Sequence, residues 1–264
     1  MKKKIIGISL VRNEDLFLEK VLENIFEFCD EIIVADNLSD DQTYCKVQRL
    51  QKKYRKIHSY SISSPALSHD LVSNYARTDT WIFAVDGDEL YDPAGLRRLR
   101  QRLFSGEYNS WWIILGNALH CIDLNIATGY VQGYLSPPCR SMTKLYNFNA
   151  INTWSGPCPE RLHGGTIQFR QGYDESLRLE LYKTTAWDEA DFRCLHLCFI
   201  RRSSLEKEHK ISVRKNISDM NSEGIFARIK ALYFRLAGIE QQSSWKRERY
   251  MRGQLVEKSA RPFL

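Results

Sequence analysis

Residues Trp81 to Pro93 read WIFAVDGDELYDP, and the fold follows from how this stretch is taken. Trp81 to Val85 is a continuous apolar run of β-forming residues, and the carboxylates Asp86, Asp88 and Glu89 follow at once. The pattern predicts a buried strand that ends at a charged edge. Carboxylates this close repel one another and are costly beside a hydrophobic strand unless a cation sits between them. A hard divalent ion with oxygen ligands does this directly. Gly87 gives the backbone the freedom to turn Asp86 and Asp88 the same way. The same stretch also reads as a strand running out into a solvated acidic turn, so the flanking sequence decides.

Upstream, Lys4 to Val11 (KIIGISLV) reads as a strand, and residues 15–28 carry Leu16, Leu18, Val21, Leu22, Ile25 and Phe26 at close to helical spacing. Glu31 to Ala35 is a second strand. The loop Asp36-Asn37-Leu38-Ser39-Asp40-Asp41 then gives a dense N-cap signal for a helix to about Arg55. Ile57 to Ile62 is a third strand, and a helix from about Ser68 to Ala76 leads into the central one. This alternation predicts a Rossmann-like, mostly parallel α/β sheet flanked by helices, and such sheets bind ligands beyond the carboxyl ends of their strands. Arg12, Asn13, Glu14, Asp36, Asn37, Asp86 and Asp88 all fall at those ends. Neither GxGxxG nor GxxxxGK is present in the expected place, so the glycine-rich phosphate loops are excluded.

Three motifs in this order, VRNE at 11–14, EIIVADNLSDDQT at 31–43 and WIFAVDGDELYDP, resemble the start of the family 2 glycosyltransferases with the GT-A fold. The resemblance covers about the first hundred residues. It implies a nucleotide-sugar donor, most simply a UDP-sugar, a divalent metal (Mn2+ or Mg2+) bridging the diphosphate, and inversion at the anomeric carbon. By the same resemblance Asp36 accepts a hydrogen bond from the base, and Val11, Arg12, Asn13, Glu14, Asn37, Asn74, Asp86 and Gly87 surround the donor. Asp88 holds the metal with Asp86 nearby, and His196 completes its ligands. Read without it, Asp36 and Asn37 form a capping turn, Asn74 is a surface helix position, and His196, inside the apolar run RCLHLCFI, is a core histidine.

The middle of the chain is expected to supply the acceptor site. Trp111 to Leu115 reads as a buried strand, and Arg140 to Tyr146 partly alternates as a strand with one wet face. In TWSGPCPERLHGG (153–165), Glu160 and Leu162 match a His-Glu-x-Leu segment of many relatives, with Pro159 where they have histidine. An inverting transfer needs a carboxylate to take the acceptor's proton, and Glu160 is the first choice. The alternative is a structural ion pair of Glu160 with Arg161 or Arg140. Trp154, Arg161 and His163 are the candidate acceptor-binding residues.

Composition bounds the rest. With 43% hydrophobic and 12% aromatic residues, the 264-residue chain is globular and has ample core. Its apolar runs fall far short of the roughly 20 residues needed to cross a bilayer, and its first residues do not read as a signal peptide. Seven scattered cysteines predict reduced thiols and a cytoplasmic setting. Residues 201–264 hold 15 Lys/Arg against 7 Asp/Glu, or +8, which leaves residues 1–200 at −2 of the total +6. The expected organisation is therefore a catalytic domain over 1–200, with a donor half (1–106) and an acceptor half (107–200), followed by a basic helical extension over 201–264. Within that extension, 224–239 has a basic amphipathic pattern that suits either packing on the domain or an anionic membrane surface. Positive charge confined to one end, without a recognition motif, argues against nucleic acid. The function expected is metal-dependent glycosyl transfer to a glycan or lipid-linked acceptor, by family in surface-glycan (lipopolysaccharide or capsule) synthesis. The rivals are a non-catalytic nucleotide-sugar-binding protein and a nucleotidyltransferase.

Overall fold

The structure, a computed structural model, describes residues 3–140, 143–206 and 245–264. In chain order the strands are β1 (Lys4–Val11), β2 (Glu31–Asp36), β3 (Ile57–Ser61), β4 (Thr80–Asp86), β5 (Glu89–Tyr91), β6 (Ile113–Leu115), β7 (Asn117–Asn125), β8 (Tyr130–Leu135), β9 (Lys144–Asn147), β10 (Ile151–Ser155), β11 (Thr166–Phe169), β12 (Arg178–Glu180), β13 (Arg193–His196) and β14 (Leu255–Ser259). The helices that matter for the site are α1 (Leu18–Phe26), α2 (Thr43–Lys53), α3 (Asp70–Ser73) and α4 (Pro93–Ser105).

A seven-stranded sheet in the order β12-β6-β9-β4-β1-β2-β3 forms the frame. β4, β1, β2 and β3 are parallel, as the strand–helix alternation predicts, and β9 enters antiparallel between β4 and β6. Alternate side chains of the central strands feed two cores, one on each face. Ile5, Trp81, Phe83 and Val85 pack with α1 and α4 on one side, while Ile6, Ile8, Ile82 and Ala84 meet the aromatic group Trp112, Tyr146, Phe148 and Trp154 on the other. This double burial is why β1 and β4 read as unbroken apolar runs rather than alternating ones.

α4 is set by its ends. Asp92 caps it by accepting from the backbone N–H of Ala94 and Gly95, Pro93 occupies its first turn, and Gly106 leaves it at φ +88°. The expected helix over 68–76 is instead a 3₁₀ turn, Pro65–Ser68, followed by the single turn α3. Pro65 and a short apolar stripe support no more than that.

A second sheet, β14-β8-β7-β13-β5, stands beyond the end of β4. Its last strand comes from the extension: Leu255–Ser259 pairs antiparallel with β8, and Phe263 and Ala260 are buried against the main core. The sequence reading anticipated helix there and missed this strand. The amphipathic segment 224–239 lies outside the described residues. No helix among the described residues is long and apolar enough to cross a membrane.

Candidate functional site

The carboxyl ends of β1, β2 and β4 converge, and the loops leaving them are knitted together. Asn37 N–H donates to Val11 O (2.9 Å) and the Asn37 amide to Ile62 O (2.9 Å), so Asn37 ties three strand ends. Asn13 N–H donates to Ser39 Oγ (2.9 Å), Asp40 N–H to Asn13 Oδ1 (2.7 Å), and Glu14 N–H to Thr43 Oγ1 (2.7 Å). Asp36 sits at the centre, 2% exposed. Its Oδ2 accepts from Ser39 N–H, whereas its buried Oδ1 has no hydrogen-bond partner among the described residues. Burial pushes its pKa up, with Arg12 among the nearby charges. The loop is a turn as well as a site: it needs Leu38 at φ +53° and Asn13 at φ +55°.

At the end of β4 the carboxylates separate into distinct surroundings. Asp86 pairs with the guanidinium of Arg161, which also donates to Val85 O (2.9 Å). Burial pushes the Asp86 pKa up, but the Arg161 charge outweighs it and holds the group well below the usual range. Asp88 is 2% exposed and pairs with Arg202, which also lies 3.5 Å from Glu14 Oε1. Glu89 accepts from Tyr91 O–H (2.7 Å) and Asp86 N–H (3.1 Å). Burial first, and the neighbouring Asp86 charge second, push its pKa well above the ordinary carboxylate value. Gly87 is required for space rather than for an unusual φ, because a Cβ there would stand 1.8 Å from Glu14 Oε2. The turn therefore brings Glu14 against the backbone between the two aspartates.

Behind Asp88 stand two histidines. β13 and β7 run parallel with His196 opposite His120, and both side chains are buried. His120 Nε2 lies 2.6 Å from Arg140 O, His120 Nδ1 lies 2.8 Å from His196 Nδ1, and His196 Nε2 lies 3.6 Å from Asp88 Oδ2. Burial pushes the His120 pKa well down, so the ring is neutral. A carbonyl only accepts, so the His120 proton is on Nε2 and its Nδ1 is an acceptor. His196 then donates from Nδ1. Tyr250, 2% exposed, stacks on His120 at 4.5 Å and meets His196 edge-on at 5.4 Å. The basic run 246–252 thus packs back on the domain through Tyr250. His120, His196 and Cys198 also lie close enough together to form a metal-binding trio, but both ring nitrogens of His120 are already committed.

The 153–165 segment forms the facing wall. His163 Nδ1 lies 2.9 Å from Glu160 Oε1, and Lys144 Nζ lies 2.5 Å from His163 Nε2. Burial pushes the Glu160 pKa up, while the hydrogen bond from His163 and the Arg161 charge bring it below its ordinary value. Glu160 therefore pairs with His163, whereas Arg161 turns away to Asp86. Trp154 lies in the core at 7% exposure, its indole N–H donating to Gly164 O (2.9 Å), and it supports the loop from behind. Asn74 is exposed at the C-terminal end of α3 and is not hydrogen-bonded to the carboxylate cluster.

The sequence reading missed Lys144, His120 and Arg202. Arg202 was counted with the basic extension, yet Ser203 Oγ donates to Asp41 (2.6 Å) and Ser204 N–H to Asp15 (2.7 Å), which fixes 202–204 in the site. A buried-strand histidine in ALHC and a lysine inside an otherwise apolar strand were the available signals.

A parallel sheet whose carboxyl edge gathers a buried aspartate loop, an Asp-x-Asp turn and a returning histidine defines a GT-A domain. The chain belongs to glycosyl transferase family 2, which it matches over residues 8–177. Among solved structures, residues 1–349 of S. aureus TarS in complex with UDP are 17% identical, with a TM-score of 0.38, over 55% of this chain and 47% of that one. The mannosyltransferase PcManGT from Pyrobaculum calidifontis, in complex with GDP-Man and Mn2+, is 20% identical at a TM-score of 0.35 over 44% and 36%. Glucosyl-3-phosphoglycerate synthase from Mycobacterium tuberculosis, with Mn2+, UDP-Glc and phosphoglyceric acid, is 16% identical at 0.37 over 56% and 58%. The chain spans less than two thirds of the length of each. No curated protein matches.

Proposed function

We propose that this chain is a metal-dependent inverting glycosyltransferase that moves a sugar from a nucleotide-sugar donor, in the first instance a UDP-sugar, to a hydroxyl of a glycan or lipid-linked acceptor. The observation that carries the reading is the approach of His196 Nε2 to Asp88 Oδ2, 3.6 Å apart beside Asp86 at the end of the parallel strands. With a proton on Nδ1, His196 presents Nε2 to a carboxylate oxygen of Asp88. An imidazole nitrogen and carboxylate oxygens gathered at one strand end are a donor set that fits a divalent ion, with the Arg202 guanidinium holding the same Asp88 oxygen in this structure. Asp88, Asp86 and His196 would hold Mn2+ or Mg2+, and such an ion, when bound, stabilises charge on diphosphate oxygens as a Lewis acid.

The remaining roles belong to the chain itself. The unpartnered Oδ1 of Asp36 suits a ring N–H of the base, a hydrogen bond that costs 1–3 kcal/mol, in order of magnitude, if left unmade. Val11, Arg12, Asn13, Glu14, Asn37 and Gly87 bound that subsite. Glu160 acts as the base: the acceptor oxygen bonds to the anomeric carbon, its proton passes to Glu160, and the bond to the diphosphate breaks with its electron pair leaving on phosphate. A setting in surface-glycan synthesis on the cytoplasmic side of a membrane, with contact through 224–239, belongs to the same proposal and is supported by that segment's basic amphipathic pattern.

The test is calorimetric titration of UDP-, GDP-, CMP- and dTDP-sugars into wild type and Asp88→Ala, with Mn2+ and with chelator. One nucleotide is expected to bind, with metal only and to wild type only. Binding of none under any condition overturns the reading.

A further inference from the structure

Lys144 opens β9, opposite Ala84 in β4 and therefore level with the approach to Asp86. It is half-buried, burial lowers its pKa, and among the described residues the hydrogen-bond partner of its ammonium group is His163 Nε2, at 2.5 Å. An ammonium group has protons and no lone pair, so it can only donate. His163 Nε2 must therefore be the bare, accepting nitrogen. The ring proton is then on Nδ1, 2.9 Å from Glu160 Oε1, where it can only be donated to the carboxylate. Lysine, histidine and glutamate form a directed line whose polarity follows from the lysine.

The backbone reinforces that line. Glu160 and His163 pair across a tight reversal, His163 N–H donating to Glu160 O (2.9 Å), with Arg161 held at φ +37°. Arg161 N–H donates to Ser68 Oγ (2.7 Å), and Arg161 O lies 2.9 Å from His69 Nδ1. The Arg161 side chain anchors the same loop to Asp86 and Val85 O. Glu160 is thus held through one oxygen, Oε1, and no hydrogen bond to its Oε2 is formed among the described residues.

We propose that Lys144 and His163 are positioning residues for Glu160: Lys144 fixes the Nδ1–H tautomer of His163, and His163 orients the carboxylate so that Oε2 takes the acceptor's proton. A Glu160–His163 pair could also be read the other way round, with histidine as the base and glutamate as its orienter. Lys144 rules this out, because it occupies the only lone pair that His163 would use. The proposal rests on Glu160 as the base, and the experiment separates the two.

The variants are Glu160→Gln, His163→Leu, His163→Gln, Lys144→Met and Lys144→Arg. Each is examined for folding by circular dichroism, for binding of Mn2+ with the nucleotide sugar chosen by calorimetry, and for turnover of that donor with water as acceptor. Glu160→Gln is expected to lower kcat roughly 10²- to 10⁴-fold. His163→Leu and Lys144→Met should each lower kcat about ten- to a hundredfold, the size of losing a charge-assisted hydrogen bond, with donor Kd unchanged. His163→Gln, which keeps an N–H, and Lys144→Arg, which keeps a donor, should recover part of the loss. Without the His163 hydrogen bond the acid limb of the kcat profile should move to higher pH. In the Glu160→Gln background neither substitution should cost anything further. Losses confined to donor Kd, an unmoved acid limb, or additive losses on Glu160→Gln overturn the positioning role while leaving the base in place. Unchanged turnover in Glu160→Gln overturns the base and the positioning role together.

Discussion

The two aspartates of the β4 turn are one residue apart and live in different worlds. Asp86, with 26% of its side chain exposed, is answered by Arg161 from a loop that also carries Glu160. Asp88, with 3% exposed, is answered by Arg202 and faces His196, both from the returning second sheet and the segment after it. One carboxylate is thus coupled to the proposed acceptor wall and the other to the proposed metal position. The lesson is that a short motif acquires two functions through what returns to it, not through its own spacing. Charge bookkeeping agrees, since each of these two aspartates has a guanidinium beside it, whereas burial and the neighbouring Asp86 charge drive Glu89 toward its neutral form.

The largest expected effect breaks the Asp88 side. Arg202→Ala leaves a buried carboxylate without its guanidinium and should cost about 3–5 kcal/mol in denaturant unfolding. Saturating Mn2+ should restore part of that loss, because the ion supplies the missing positive charge. Full destabilisation that Mn2+ does not touch would argue against Asp88 as a ligand.

Next, Gly87→Ala forces a methyl group into the space of the Glu14 carboxylate and should destabilise by about 1–3 kcal/mol. Donor binding should fall in the same variant. A neutral result would mean that the turn relaxes freely and that the close approach of Glu14 does not shape the site.

The pH dependence sharpens the contrast between paired and unpaired acids. Glu89 has a folded pKa well above its ordinary value of 4.5, so the native protein holds a proton that the unfolded chain has lost. Its contribution is complete below pH 4.5 and is lost as pH rises toward the folded pKa, with a slope of up to about 1.4 kcal/mol per pH unit. Asp86 has the opposite sign: its stabilising pair is present above the usual aspartate range and is lost in strong acid. Glu89→Gln should therefore flatten the fall in stability between pH 5 and 8, measured by urea unfolding, and leave the acid limb alone.

The division between the two halves of the site also explains what was legible. Asp36, Asp86 and Asp88 follow their strands directly, so apolar runs and strand-end chemistry locate them without tertiary information. Their cations do not announce themselves. Arg161 sits between two residues of a functional motif, Arg202 hides in a generally basic tail, and Lys144 belongs to a strand inserted antiparallel between β4 and β6. His120 meets His196 only through the parallel register of β7 and β13, which no local pattern encodes. Even Glu160 is found by resemblance, and no local pattern shows that His163 lies against both Glu160 and Lys144.

The smallest expected effect concerns Asn74, read from sequence as a donor-side residue and exposed here at the end of a single helical turn. A side chain with no hydrogen bond to the cluster contributes little to the fold, so Asn74→Ala should change stability by less than about 0.5 kcal/mol. Donor affinity should also be unchanged within a factor of about two, because the proposed nucleoside subsite is built from the β1 and β2 loops. A clear loss of affinity with stability intact would show that α3 moves toward the donor when it binds. That would extend the site beyond the strand ends and make the donor half, like the acceptor half, dependent on a segment that returns from elsewhere.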